Sequence, residues 1–380
     1  MLLVKNEDKV KTKSINRFIK SIISLEDKSN ICKYINKVLK SNYDKDYIIN
    51  NIKTIISNLS FEQLIRINKD ENFNILKMIK KPCINVKDIN NFIKHKNLKL
   101  SYTIINKNTY NYDNNIYSMH SIGKVFTGFL IMILLNEEVF TKEDILSKPK
   151  FNNKILQQLP AKVVERLNEI TMLDLMTHKS GLGCYGLNYV AGLEKNHKNI
   201  PYNPEDFIKY IDDVMYEKNK LHYSNSGFLL LGLCIEELYN IKNNISVKYN
   251  YILYKYIIIP AKLSTFSITR PKNGLFNNNK DLTIAEYISG NPAGSYYIST
   301  KELAKFGVFI LKYIKNTKIM KYIKLYGEEF YKDNIICHGG GLPGSSCYLF
   351  VYLKHNISIS IMDNNGNDSY ILRHAITYLS

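Results

Sequence analysis

Two side chains three positions apart, Ser121 and Lys124, carry the chemistry that this chain offers most directly. They lie in the segment Ser118-Met-His-Ser-Ile-Gly-Lys124-Val-Phe-Thr-Gly128. A serine hydroxyl is a weak nucleophile until a neighbour takes its proton, and a lysine can take it only where burial and nearby positive potential keep the amine neutral. A spacing of three places both on one helix face. A helix N-terminus adds positive potential and unpaired N–H groups suited to an acyl-transfer oxyanion. The apolar run Val125 to Leu135 that follows would bury such a site. A second Ser-x-x-Lys, Ser147 to Lys150, contains Pro149 and falls in a charged loop. The bland alternative for Ser121 is a serine that merely caps the helix.

Two further groups could complete the chemistry. Tyr223-Ser-Asn225 stands just before an apolar helix, where a phenol could relay a proton and an amide could hold the acyl side of a substrate. Tyr-x-Asn also occurs at Tyr34 and Tyr112, but without a helix behind it. The third group is Cys337-His338-Gly339-Gly340-Gly341. Glycines inside a strand admit another backbone or a ligand at close range, and a histidine beside them offers a donor or a cation.

These residues need elements to position them. Leu98 to Ile105 and Thr109 to Asp113, joined by Asn106 to Asn108, read as a strand pair. Ser346 to Leu353 and Ile357 to Met362 read as a second hairpin, followed by a helix near Ser369 to Tyr378. Strands at both extremities with helices between them predict an α+β fold, its antiparallel sheet flanked by helices and joining the two ends. Before it, helical periodicity at Ile15, Phe18, Ile19, Ile22 and Ile23, and again from Ile31 to Leu39, predicts a helical module stopped near Pro82. The division expected is a helical module over 1–90 and a catalytic domain over 91–380. The module is either a packing appendage or a unit that binds a partner the sequence does not name.

Taken in order, Ser-x-x-Lys, Tyr-x-Asn and His-Gly-Gly resemble the motifs of the serine β-lactamase-related family, which includes class C β-lactamases, penicillin-binding proteins, D-Ala-D-Ala carboxypeptidases and esterases. The stretches Ile170 to Leu182 and Pro292 to Gly307 resemble its framework. The resemblance implies a β-lactamase/transpeptidase-like fold with an all-helical subdomain. It also implies Ser121 as the acylated nucleophile, Lys124 as its base and Tyr223 as proton shuttle. Asn225, His338, Gly339 and Gly340 would bind substrate, with the N–H groups of Ser121 and Gly341 as oxyanion hole. Neither a metal nor an organic cofactor is implied; the partner is a small-molecule or peptide substrate. The chain departs from the family where Lys-Thr-Gly is common and His338-Gly339-Gly340 stands instead. A neutral imidazole there forfeits a charge-assisted contact worth about 1.5–3 kcal/mol. Ester or amide hydrolysis is therefore expected ahead of potent β-lactamase activity. The alternative is a catalytically silent protein that keeps the fold to bind or scaffold.

Composition sets the outer limits. The 380 residues include 45% hydrophobic side chains, enough for a large core. No apolar run approaches the ~20 residues of a membrane-spanning helix. Met1 to Ser14 has no secretory pattern and the six cysteines lack metal-ligand spacing, so free thiols in a reducing cytoplasm are expected. The formal charge of +18 is spread along the chain: 18 basic and 10 acidic residues fall in 1–90, 34 and 24 in 91–380. Only five of the 52 basic residues are Arg, the side chain best suited to reading bases, so specific nucleic-acid binding is not expected. Retention on heparin should accordingly vanish in modest salt, and gel-shift titration should show no preference among nucleic acids.

Overall fold

The computed structural model describes residues 86–185, 203–272, 274–275, 289–327, 330–342, 344–366, 368–369 and 372. The periodic segments expected before Pro82 lie outside the described residues, as does the expected C-terminal helix apart from Ser369 and Leu372. Described residues up to Leu98 and those from Lys99 to Ser369 belong to two compact units. In the first, helix α1 (Val86–His95) buries Ile89 and Ile93, and the N–H of Leu98 donates to the Ile93 carbonyl at 3.0 Å.

The second unit is built on a six-stranded antiparallel sheet. β1 (Leu100–Ile105) turns through Asn106 to Asn108 into β2 (Thr109–Tyr112), with Thr103 opposite Asn111. The remaining strands come from the end of the chain: β5 (Tyr331–Lys332), β6 (Ile335–Leu342), β7 (Ser345–Tyr352) and β8 (Ile357–Asp363). Their order is β2-β1-β8-β7-β6-β5, and Leu100 pairs with Asp363, so the sheet does join the early and late strands. A second, two-stranded sheet pairs β3 (Ile116–Ser118) with β4 (Tyr297–Ser299). These two short strands escape a reading by periodicity, which needs four or more alternating residues.

Alternation gives the large sheet two different faces. Tyr102, Ile104, Ile359, Ile361 and Phe350 share one, all buried. Ser101, Thr103, Ser358 and Ser360 share the other, and their small size lets helix α9 (Thr300–Asn316) lie close. Ser360 Oγ donates to the Thr300 carbonyl at 2.6 Å, and a Cβ on Gly307 would run into Ser358 Oγ.

Between the strands the named elements are helical. Helix α2 (Gly123–Asn136) is buried from Gly123 through Leu135, as an all-round apolar helix must be. Four short helices follow: α3 (Lys142–Ile145), α4 (Asn153–Leu156), α5 (Ala161–Leu167) and α6 (Met172–Met176). Capping boxes at Thr141 and Thr171 open α3 and α6. The long α7 (Asn225–Asn243) ends in left-handed Asn244, and α8 (Tyr249–Leu253) follows. Phe126 on α2 stacks on Phe306 of α9 with centroids 3.6 Å apart, tying helix layer to sheet layer. Phe126→Ala should cost about 3–5 kcal/mol through the cavity it leaves, read as a lower urea midpoint at unchanged m-value.

Candidate active site

Ser121 sits in a single 3-10 turn, His120–Ile122, between β3 and α2. Its hydroxyl caps neither element, which removes the bland reading of this residue. The turn is clamped from one side: the Met119 N–H donates to the Tyr296 carbonyl at 2.7 Å, and the Ser295 N–H donates to the His120 carbonyl at 2.9 Å. His120 itself is left-handed (φ +42°), a conformation that costs a non-glycine residue about 1–2 kcal/mol. Its buried ring holds the turn to β7, with Nε2 2.9 Å from Ser345 Oγ.

Lys124, in the first turn of α2, is completely buried. Its Nζ donates to Asn225 Oδ1 at 2.6 Å and to the Ala293 carbonyl at 2.6 Å, and lies 3.3 Å from Ser121 Oγ. The approach of Ala293 rests on glycine. A Cβ on Gly123 would lie 2.5 Å from the Gly294 Cα, and one on Gly294 (φ +144°) would run into the His120 carbonyl. The second Ser-x-x-Lys is placed quite differently: Ser147 and Lys150 are exposed, and Ser147 Oγ donates to the Glu143 carbonyl.

The Tyr-x-Asn segment reaches the same point from the helical layer. Ser224 is the N-cap of α7, accepting from the Gly227 N–H at 2.8 Å, so Asn225 becomes the first helical residue and Tyr223 the last residue before the cap. The Tyr223 ring centroid lies 4.8 Å from Lys124 Nζ. Tyr223 is 37% exposed, so the cluster meets solvent at this ring.

β6 supplies the opposite wall. A Cβ on Gly340 would lie 2.7 Å from the Ser121 nitrogen, so glycine there lets the strand backbone press against the serine turn and sets Gly341 next along. Gly339, on the other face, opposes Tyr348 of β7. The His338 ring stacks 4.9 Å from Phe330 and 6.2 Å from Tyr223, and both its ring nitrogens are shielded from solvent. Ser121, Lys124, Tyr223, Asn225, His338 and Gly340 are thus brought together, from three separate stretches of chain. Three contributors carried no role in the sequence reading: His120, Ala293 and His178, whose ring lies 4.5 Å from that of Tyr223. The sequence signals were adjacency to Ser121 for the first and membership of the two framework stretches for the others.

The Beta-lactamase family model matches residues 106–370. No curated protein matches the sequence. Among solved structures the chain is similar to a D-stereospecific amidohydrolase from Streptomyces sp. (18% identity, TM-score 0.54, 72% of this chain and 92% of that one). It is also similar to the octameric penicillin-binding protein homologue from Pyrococcus abyssi (18%, 0.55, 78% and 77%) and to D-amino acid amidase from Ochrobactrum anthropi SV3 (14%, 0.54, 78% and 98%). At these identities the likeness is one of fold.

Two buried imidazoles give the site a pH signature. Burial lowers His120 to about 4, and burial, then the positive charge of Lys124, lowers His178 to about 3. An unfolded chain takes up protons on both below about 6.5 while the folded one resists, so these two groups should make folding stability fall as pH drops from 6.5 toward 4 and should add no slope above. Urea midpoints measured across pH should show this slope, and it should shrink in His120→Gln.

Proposed function

The chain belongs to the β-lactamase family, and on that premise we propose that it is a serine hydrolase which cleaves an ester or amide through an acyl-enzyme on Ser121. One observation carries the reading: the contacts of Lys124 Nζ. A neutral amine has two N–H bonds and one lone pair. In that form the acceptors at 2.6 Å, Asn225 Oδ1 and the Ala293 carbonyl, would take both N–H bonds and the lone pair would face the Ser121 hydroxyl 3.3 Å away. Complete burial favours that neutral form.

In this mechanism Lys124 takes the Ser121 proton as Oγ bonds to the carbonyl carbon. The negative charge moving onto the carbonyl oxygen is met by the N–H groups of Ser121 and Gly341. Tyr223 passes the proton to the leaving oxygen or nitrogen as that bond breaks. Water then attacks the ester carbonyl, its proton passes by way of Tyr223 and Lys124 to Ser121 Oγ as the Oγ–carbonyl bond breaks, and the acid and the free serine hydroxyl are released. Asn225 holds Lys124, and the strand His338 to Gly340 bounds the substrate.

His338 decides between substrate classes. Its ring nitrogens are shielded and its ring is packed against Phe330 and Tyr223, so this strand offers no fixed cation to a lactam or terminal carboxylate. Neutral esters and amides, including the D-amino acid amides for which one similar structure is named, fit this better than penicillins.

Intact-mass measurement after a fluorophosphonate should show one adduct on the parent and none on Ser121→Ala. Hydrolysis of activated esters should fall at least about a thousandfold in Ser121→Ala and in Lys124→Ala, with the double variant no worse, because nucleophile and base act as a unit. Ser147→Ala should be silent. An unlabelled, inactive parent would instead favour the silent binding protein.

A further inference from the structure

The segment His178 to Cys184, which contributes no group to the chemistry just described, meets the turn His222 to Asn225 residue by residue. The His178 carbonyl accepts from the His222 N–H at 2.8 Å, and its Nδ1 accepts from the Ser224 N–H at 3.1 Å. The Gly183 carbonyl accepts the Ser224 hydroxyl at 2.6 Å. Cys184 Sγ accepts an Asn225 Nδ2–H at 3.0 Å. Between these bonds the Tyr223 ring lies on the His178 ring.

His178 is built for one arrangement. It is 0% exposed, left-handed (φ +59°), and packed by Phe228 and Phe330 on its remaining sides. With Nδ1 accepting from a backbone N–H, its proton is fixed on Nε2. Rotation of this ring would take the seat from under Tyr223.

Cys184 settles a different ambiguity. An amide can turn end for end, and the two ends of Asn225 act oppositely on Lys124. With Oδ1 inward it accepts an amine N–H; with Nδ2 inward it would donate to the lone pair that Ser121 needs. A thiol sulfur on the other side gives Nδ2 an acceptor and keeps Oδ1 inward.

We infer that His178 and Cys184 are the positioning residues of this site: His178 seats the Tyr223 ring, and Cys184 fixes Oδ1 as the end of the Asn225 amide that faces Lys124. The inference rests on the hydrolase reading above. It is tested by kcat and KM for ester hydrolysis in His178→Phe, which keeps a ring but loses the Nδ1 acceptor, and in His178→Asn, whose Oδ1 stands near the lost Nδ1 and which tolerates left-handed backbone. His178→Phe should lower kcat about tenfold with KM held, His178→Asn should regain most of it, and in a Tyr223→Phe background the same change should cost nothing further. Equal losses in both backgrounds would overturn the role of His178.

Cys184→Ala should lower kcat/KM about three- to tenfold and move its acid limb to lower pH, since the ammonium form of Lys124 loses an acceptor; Cys184→Ser should restore both. An unmoved limb would overturn the role of Cys184. Should His178→Phe not fold, His178→Asn and the Cys184 pair carry the test. Fluorophosphonate labelling of Ser121 separates the two levels of failure. An unlabelled parent sinks the hydrolase reading itself, whereas a labelled, active parent with indifferent variants sinks the positioning roles alone.

Discussion

The site depends on a contact in which no side chain takes part: the backbone at Gly294 resting on His120 and Gly123. Every other residue type would hold these two segments apart, because its Cβ would occupy space already taken by main-chain atoms. With glycine at both positions, the Ala293 carbonyl reaches the Lys124 amine and the Ser295 N–H reaches the carbonyl just before the serine. His120, at this contact, is left-handed. Strain there is held by hydrogen bonds on two sides, from Ser295 to the backbone and from Ser345 to the ring.

A buried lysine poses the next problem. Sealing a cation in a core is unfavourable unless polar partners replace water, yet partners that bind the cation too well would leave no free base. The arrangement found here answers with neutral acceptors, an amide oxygen and a backbone carbonyl, and with the face of the Tyr223 ring. Such groups satisfy N–H bonds in both the charged and the neutral amine. Helix α2 completes the enclosure, because its apolar side chains bury it from end to end.

Much of this was legible in the sequence. The strand pair from Leu100 and the hairpin from Ser345 follow from alternating or β-branched runs separated by short polar turns, and the β1–β8 pairing agrees with the α+β reading. Ser121, Lys124, Tyr223 and Asn225 were legible because each precedes or opens an apolar helix, a context that the stray copies at Ser147, Tyr34 and Tyr112 lack. The contribution of Ala293 was not legible, since a backbone carbonyl leaves no trace in side-chain identity. Nor were the roles of His178 and Cys184, whose partners lie some forty residues further on. The enclosure of His338 was missed for a related reason: Phe330, which stacks on it, carries no motif.

The pairing of Leu100 with Asp363 also sets an order of events. A ribosome releases β1 long before β8, and during that interval β1 has only the short β2 beside it, a hairpin of marginal stability alone. The helices between residues 123 and 253 can collapse on local contacts meanwhile, but Gly340 cannot meet the serine turn until β6 to β8 have emerged. Lys124 and its acceptors on α7 and at Ala293 can therefore assemble before the wall that closes them, and the cluster is complete only once β6 to β8 are available to pair.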